Sequence, residues 1–362
     1  MGSGLKNKKS SVLWSHRFLP CPALHLPRYL PATRTALLEK ETKMPAFKAI
    51  TTTRPCPISG SSSALIVAER DRHGKELRNV ISTESGLIFV DPVPFNDTEK
   101  FYRDDYRLSY KGVDEPRKKH IYRAGVAALR RLNRLIKYLP QKSRILDVGS
   151  SSGELLYLLK NRGYDCEGLE VNRGYAEFAH QELNIEATVT PVSQFATEKT
   201  YDVITMIHVL EHFENPLEEI NHLAQFLGEK GTFIIEVPNV LSSSQRFLSK
   251  WHRGHLFSYS ADTLAALFRK CGFEALQCAP VRDGGNLLGI FQKSSSPLSP
   301  TPIKESAEQI LAALYTQRSR YYFRPRTWAK GCAKPFRNLY ESHISRGKSA
   351  RQILDSLYKD NS

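Results

Sequence analysis

The sequence predicts a doubly wound α/β domain, and three observations predict it. Apolar runs at 145–148, 166–171, 201–207 and 231–239 alternate with stretches of helical spacing, the rhythm of parallel strands joined by crossover helices. The first run ends in the small-residue turn Gly149-Ser150-Ser151-Ser152-Gly153, and helical spacing begins at once with Leu155, Leu158 and Leu159 on one face. Chemically capable residues then gather where the strands end: Gly149, Glu170, His208, Glu211, His212 and Asn239. Doubly wound sheets bind their ligands at the carboxyl ends of their strands.

Residues 1–38 contain no acid, and Pro20, Pro22, Pro27 and Pro31 forbid a continuous helix. A transit peptide is one reading. The reading preferred here is a disordered extension over 1–44, or a spurious one with the true initiator at Met44. Of the net charge of +15, six units lie in 1–44 and seven in 301–362, so the centre is nearly neutral and the basic character belongs to the flanks. No run reaches the roughly 20 apolar residues of a membrane span, and the expected location is cytoplasmic.

The six cysteines form no C-x-x-C pair, which excludes a zinc ribbon and a secreted disulfide scaffold. Residues 45–116 are expected to form a small module and linker, with 87–90 as a strand. Within the linker, 101–110 alternates aromatic and basic residues, and Tyr106 is a candidate substrate contact. The spacing predicts a helix over 118–139, stopped by Pro140. Further helices are expected over 173–183 and 217–227. A third strand is expected at 186–189, and a last, antiparallel strand at the sheet edge over 284–291. Residues 117–293 form the main domain, 294–302 is a Ser/Pro linker, and 303–362 is a basic helical extension beginning with an amphipathic helix over 303–315.

The glycine turn and the helix behind it supply free N–H groups for an anionic ligand. Glu170, about twenty residues on, is placed to accept hydrogen bonds from two ribose hydroxyls. A dinucleotide site wants G-x-G-x-x-G, and this turn has only Gly149 and Gly153. The pattern Asp147-Val148-Gly149, three residues, Gly153 instead resembles motif I of class I S-adenosylmethionine-dependent methyltransferases, with Ser151 in place of the usual middle glycine. The strand at 201–207 followed by His208-Val209-Leu210-Glu211-His212, then Asn215-Pro216, Val237-Pro238-Asn239 and Gly254-His255-Leu256-Phe257-Ser258, resembles the group that contains ubiquinone-biosynthesis-type O-methyltransferases. Cys56-Pro57-Ile58-Ser59-Gly60 and 85–90 resemble the zinc knuckle of bacterial relatives, degenerate here: Ser59 replaces a cysteine, and Thr83 and its neighbours stand where sulfurs would sit. One thiolate cannot hold a structural zinc, so a metal-free remnant is expected.

The resemblance implies a seven-stranded, mostly parallel, Rossmann-like sheet with S-adenosylmethionine as cofactor. Asp147, Gly149, Ser151 and Gly153 would shape the methionine pocket, Glu170 would hold the ribose, and Val192, Met206 and Ile207 would line the rest of the cofactor site. His208, Glu211 and His212 are the catalytic candidates, with His208 as general base or substrate orienter. His255, Asn239 and Tyr106 are the substrate candidates. His208, Glu211, His212 and His255 also make a candidate metal set, whose imidazoles and carboxylate suit Zn, Fe, Co or Ni better than Mg. The expected reaction is direct methyl transfer to an oxygen or nitrogen of a small-molecule acceptor, such as a sugar or a lipid-linked intermediate. An RNA methyltransferase, or a non-catalytic S-adenosylmethionine-binding protein recruited by the basic tail, is the alternative. The tail, with Arg318, Arg320, Tyr321, Arg326, Trp328 and Arg337, can cap the domain, meet an anionic membrane or a phosphorylated substrate, or bind nucleic acid.

Overall fold

The computed structural model describes residues 46–106, 116–281, 284–296, 298–299, 306–321 and 325–359. The expectations for 1–44, for residues 297 and 300–302 of the linker and for 107–110 lie outside them. In the N-terminal module, β1 (Ala49–Thr51), β2 (Ser63–Arg70), β3 (Glu76–Ser82) and β4 (Ile88–Val90) pair antiparallel in sequence order. The knuckle positions are Cys56, Ser59, Ser82 and Ser85 rather than Thr83. Cys56 Sγ lies 3.1 Å from Ser85 Oγ, and Ser59 Oγ lies 3.3 Å from Ser82 Oγ. Hydrogen bonds between one thiol and three hydroxyls join the two loops, and that donor set does not fit a structural zinc.

The main domain runs α1 (Lys118–Leu135), β5 (Arg144–Val148), α2 (Glu154–Asn161), β6 (Asp165–Leu169), α3 (Arg173–Leu183), β7 (Ala187–Thr188), β8 (Tyr201–Ile207), α4 (Pro216–Ala224) and β9 (Leu227–Pro238). It continues through β10 (Phe257–Ser258), α5 (Ala261–Lys270), β11 (Phe273–Pro280) and β12 (Asn286–Lys293), and the chain closes with α6 (Ala307–Tyr321), α7 (Pro325–Ile344) and α8 (Ala350–Lys359). Local chemistry sets several ends. The Asn172 side chain caps α3 by accepting from the Tyr175 N–H, Asn184 closes that helix in the left-handed region, Pro216 opens α4, and Ser260 with Thr263 makes a capping box for α5.

The seven-stranded sheet has the order β11-β12-β9-β8-β5-β6-β7, with β12 antiparallel to both neighbours and the strands from β9 to β7 parallel. The predicted last strand is therefore not at the edge. β12 inserts between β9 and β11, and β11 forms the edge. The sequence obscured β11 because its burial is slight (Glu274 and Leu276 are exposed), so its apolar signal is weak. The helix expected over 217–227 stops at Ala224, since Leu227 already opens β9 and pairs there with Tyr201. The first helix ends at Leu135, and a 3-10 turn carries the chain to Tyr138.

Two apolar layers sandwich this sheet. On one face α1, α2, α3 and α8 pack through Leu129, Leu132, Leu156, Leu158, Ile353 and Leu354. On the other, α4 and α5 join the N-terminal module through Leu223, Leu264, Phe268, Leu87 and Phe89. Full burial of each such side chain stabilises by about 1.5–3 kcal/mol. The N-terminal sheet gains a fifth strand from the main domain, since β10 pairs antiparallel with β4. Its outer face is covered by α6, where Ile310, Leu311 and Leu314 meet Val67, Ile81, Ile88 and Trp251. Within the tail, α6 and α8 direct their apolar faces into the body.

Candidate functional site

A cavity of about 1010 Å³ opens at the carboxyl ends of β5, β6, β8 and β9. One end is built by the glycine turn. Gly149 has φ of 71°, and a Cβ there would stand 2.4 Å from Val209 Cγ2, so the backbone can follow this path only without a side chain. Ser151 also lies in the left-handed region, at φ 54°, and its N–H donates to Glu170 Oε2 at 2.8 Å. The other Glu170 oxygen accepts the Asn172 N–H at 3.0 Å. The buried carboxylate thus braces the turn from below. An ionised carboxylate offers about four lone-pair sites, the acceptor chemistry that suits a pair of ribose hydroxyls. The residues present fit that group.

Of the predicted cofactor residues, Gly149, Ser151, Glu170, Val192 and Ile207 line this cavity, whereas Asp147, Gly153 and Met206 do not. Met206 is fully buried within β8, because alternate strand residues point into opposite layers. Gly153 begins α2 at φ 81°, where a Cβ would press on Ala179 at 3.1 Å. Asp147 lies behind the turn, opposite Thr205 in the register, and accepts from Thr205 Oγ1 at 2.5 Å. Burial pushes its carboxyl up to about 7, despite Thr205 and Arg131.

The far end of the cavity is rich in imidazole and phenol. Tyr106 and Tyr102 come from a helical segment over 98–106 that contains a π-helical turn, and Tyr102, Tyr106, His212, His252 and His255 form a chain of edge contacts 4.8–6.3 Å apart. Tyr102 Oη and His212 Nδ1 both meet the Gly254 carbonyl. Burial pushes His255 well below the usual imidazole range, so it is neutral near pH 7. Asn239 lines the cavity, but its amide is engaged by loops: Nδ2 donates to the Gly284 carbonyl at 3.1 Å and Oδ1 accepts the Leu241 N–H at 3.0 Å. It shapes the wall.

His208 takes a different role from the expected base. It follows β8 at φ 58°, with Nδ1 3.3 Å from Glu211 Oε1 and Nε2 3.5 Å from Glu236 Oε1. Burial opposes its charge, but the two carboxylates outweigh burial and raise its pKa to about 9. A ring already protonated at pH 7 cannot take a proton from an acceptor. Glu236 is itself held by Arg131 (3.0 Å) and Arg134 (2.6 Å) and accepts from Asn286 Nδ2 at 2.8 Å. Asn286 Nδ2 also stands 3.2 Å from His208 Nε2, and the Glu236 contact is the one it can make when the imidazole is charged.

Sequence reasoning passed over Glu236, Arg131, Arg134 and Asn286. The signal was available for one of them. Glu236 interrupts an otherwise apolar buried strand, as Asp147 does in β5, and a lone charge there needs a partner. The two arginines read as the solvated face of a basic helix.

The candidate metal set narrows to three. Ligand atoms of Glu211, His212 and His255 lie within 4.8 Å of one another, while His208 is turned to Glu236 as well. Glu211 is 1% exposed, and its Oε1 faces His208 Nδ1 at 3.3 Å. Burial opposes its charge, yet His208, His212 and His255 hold its pKa down to about 2.

Residues 119–278 match the family model described as a methyltransferase domain. They are a class I S-adenosylmethionine-dependent methyltransferase domain. S-adenosylmethionine is the cofactor of such a domain. A ubiquinone biosynthesis O-methyltransferase from Rickettsia typhi is 29% identical over 103 residues, 27% of this chain and 42% of that protein. A tRNA U34 carboxymethyltransferase from Psychromonas ingrahamii is 26% identical over 167 residues, 42% of this chain and 51% of that protein. The chain thus spans about half the length of these curated relatives. The solved 1,6-didemethyltoxoflavin-N1-methyltransferase of Burkholderia thailandensis, with its acceptor and S-adenosylhomocysteine bound, is 17% identical, with a TM-score of 0.45 over 60% of this chain and 96% of that one. The N-terminal module lies outside the matched residues.

Proposed function

We propose that this chain transfers a methyl group from S-adenosylmethionine to an oxygen or nitrogen of a small-molecule acceptor. The observation that carries the reading is continuity: the braced Gly149–Glu170 turn and the Tyr106–His212–His255 cluster line one chamber. In-line displacement needs the sulfonium and the nucleophile in a single enclosure with their approach fixed. The acceptor atom forms its bond to the methyl carbon as the sulfur–carbon bond breaks, leaving the neutral thioether. The acceptor's proton passes to His255, which burial keeps unprotonated and so open to accept it, while His208 with Glu236 fixes one wall as a positioning pair. Calorimetry with S-adenosylmethionine and S-adenosylhomocysteine tests the first half. Wild type binds both, and Glu170→Ala loses at least about tenfold, roughly 1.4 kcal/mol. A folded wild type that binds neither ligand overturns the proposal.

A second reading adds a divalent cation at Glu211, His212 and His255, and the approach of their ligand atoms to within 4.8 Å of one another around a buried carboxylate favours it. Two imidazoles and a carboxylate suit Zn²⁺ or Co²⁺, and a cation there would lower the pKa of an acceptor hydroxyl. Co²⁺ absorption of the loaded wild type, absent in Glu211→Gln, is the expected result. Identical spectra would remove the metal.

A further inference from the structure

Helix α7 is built inside out. Along its last three turns the inward positions are polar: Glu341 is buried and paired with Arg123, Asn338 accepts from the same arginine at 3.0 Å, and Ser345, just past the helix end, is buried. The outward positions are apolar. Phe336 is 75% exposed, Leu339 70% and Tyr340 56%, spaced three and four apart so that they share one face. Helices on globular surfaces normally carry the opposite pattern, and exposed apolar stripes mark interaction surfaces.

Charge selects the occupant. Exposed Lys118 at the start of α1, one turn before the Tyr122 ring that touches Tyr340, borders the stripe with exposed Arg337 and Arg346. The segment 301–362 carries seven of the chain's net positive charges. A symmetric dimer through this face would set these cations against their own copies. An anionic bilayer surface complements them, and an aromatic and aliphatic stripe flanked by Arg and Lys is the composition of a helix that lies in the headgroup layer. Among the described residues no helix is long and apolar enough to cross a membrane. We propose that the Phe336–Leu339–Tyr340 face of α7, flanked by Lys118, Arg337 and Arg346, seats this protein on an anionic lipid surface. This inference stands apart from the methyl-transfer reading.

The test is sedimentation of the full chain with phosphatidylcholine vesicles that contain or lack phosphatidylglycerol. Wild type is expected to pellet with the anionic vesicles and to be released by salt. The double variant Phe336→Ser/Leu339→Ser should lose roughly tenfold or more in apparent affinity, with an unchanged circular dichroism melt because both side chains are already exposed. Three results would overturn the proposal: a wild type that ignores anionic vesicles, a double variant that binds them as well as wild type, or a wild-type dimer that the same substitutions split without any vesicle binding.

Discussion

His208 Nε2 and Glu236 Oε1 stand 3.5 Å apart, and Glu236 is at the same time the shared partner of Arg131 and Arg134. This carboxylate therefore ties the end of β8 to α1 across the sheet. Glu236→Gln keeps the shape and removes the charge, leaving two guanidinium groups facing a neutral amide. The expected cost is about 2–3 kcal/mol, read from urea unfolding, below that of a fully buried pair because both arginines reach solvent. An unchanged midpoint would show the network to be idle.

Asp147 predicts an unusual pH dependence. Its folded pKa, raised by burial to about 7 from 3.8, lies above its unfolded value. Between those values the folded state holds a proton that the unfolded state has released, so stability falls as pH rises from about 4 to about 7. Asp147→Asn abolishes that loss, which is on the order of a few kcal/mol. Relative to wild type the variant should gain in unfolding midpoint as pH is raised through this window, and parallel curves would contradict the assignment.

Gly149→Ala combines two penalties, a side chain at positive φ and a clash at 2.4 Å with Val209. Affinity for S-adenosylmethionine should fall at least about tenfold. Adding Val209→Ala removes the clash but leaves the backbone strain of roughly 1 kcal/mol, so the double variant should recover only part. Complete recovery would mean that the left-handed turn is not required.

On the opposite face, a Cβ on Gly125 of α1 would stand 2.5 Å from Leu354 Cδ2 of α8. Leu354→Ala should cost about 2–5 kcal/mol by opening a cavity. Gly125→Ala should destabilise the wild type more than it destabilises Leu354→Ala, where only the contact with Leu357 Cδ1 at 2.9 Å remains. A double-mutant cycle with no coupling would show that α8 does not pack here in solution.

Much of this was legible in the sequence, for physical reasons. The bounds of β8 and α3 followed from a continuous β-branched run and from clear helical spacing. The Gly149 turn and Glu170 were readable because backbone chemistry demands those residue types. β11 was not, since a strand lightly buried at a sheet edge has little apolar signal. The charge of His208 was hidden because Glu236 approaches it from a neighbouring strand, a relation that spacing cannot express. Nor could spacing tell which stripe of α7 faces inward, because only the ion pair of Glu341 with Arg123 decides it.

The short strand β10 has a consequence of its own. Val90 N–H donates to the Leu256 carbonyl at 2.9 Å, and Leu256 N–H donates to the Glu211 carbonyl at 2.8 Å. Two consecutive backbone bonds thus run from the N-terminal sheet through Leu256 to Glu211, which lies between His208 and His212 in the chain. Deuterium should enter the amides of Val90 and Leu256 at matched rates, since one residue, Leu256, makes both bonds. Removing the residues before 116 would take away the Val90 partner of Leu256 and let solvent label the floor of the chamber.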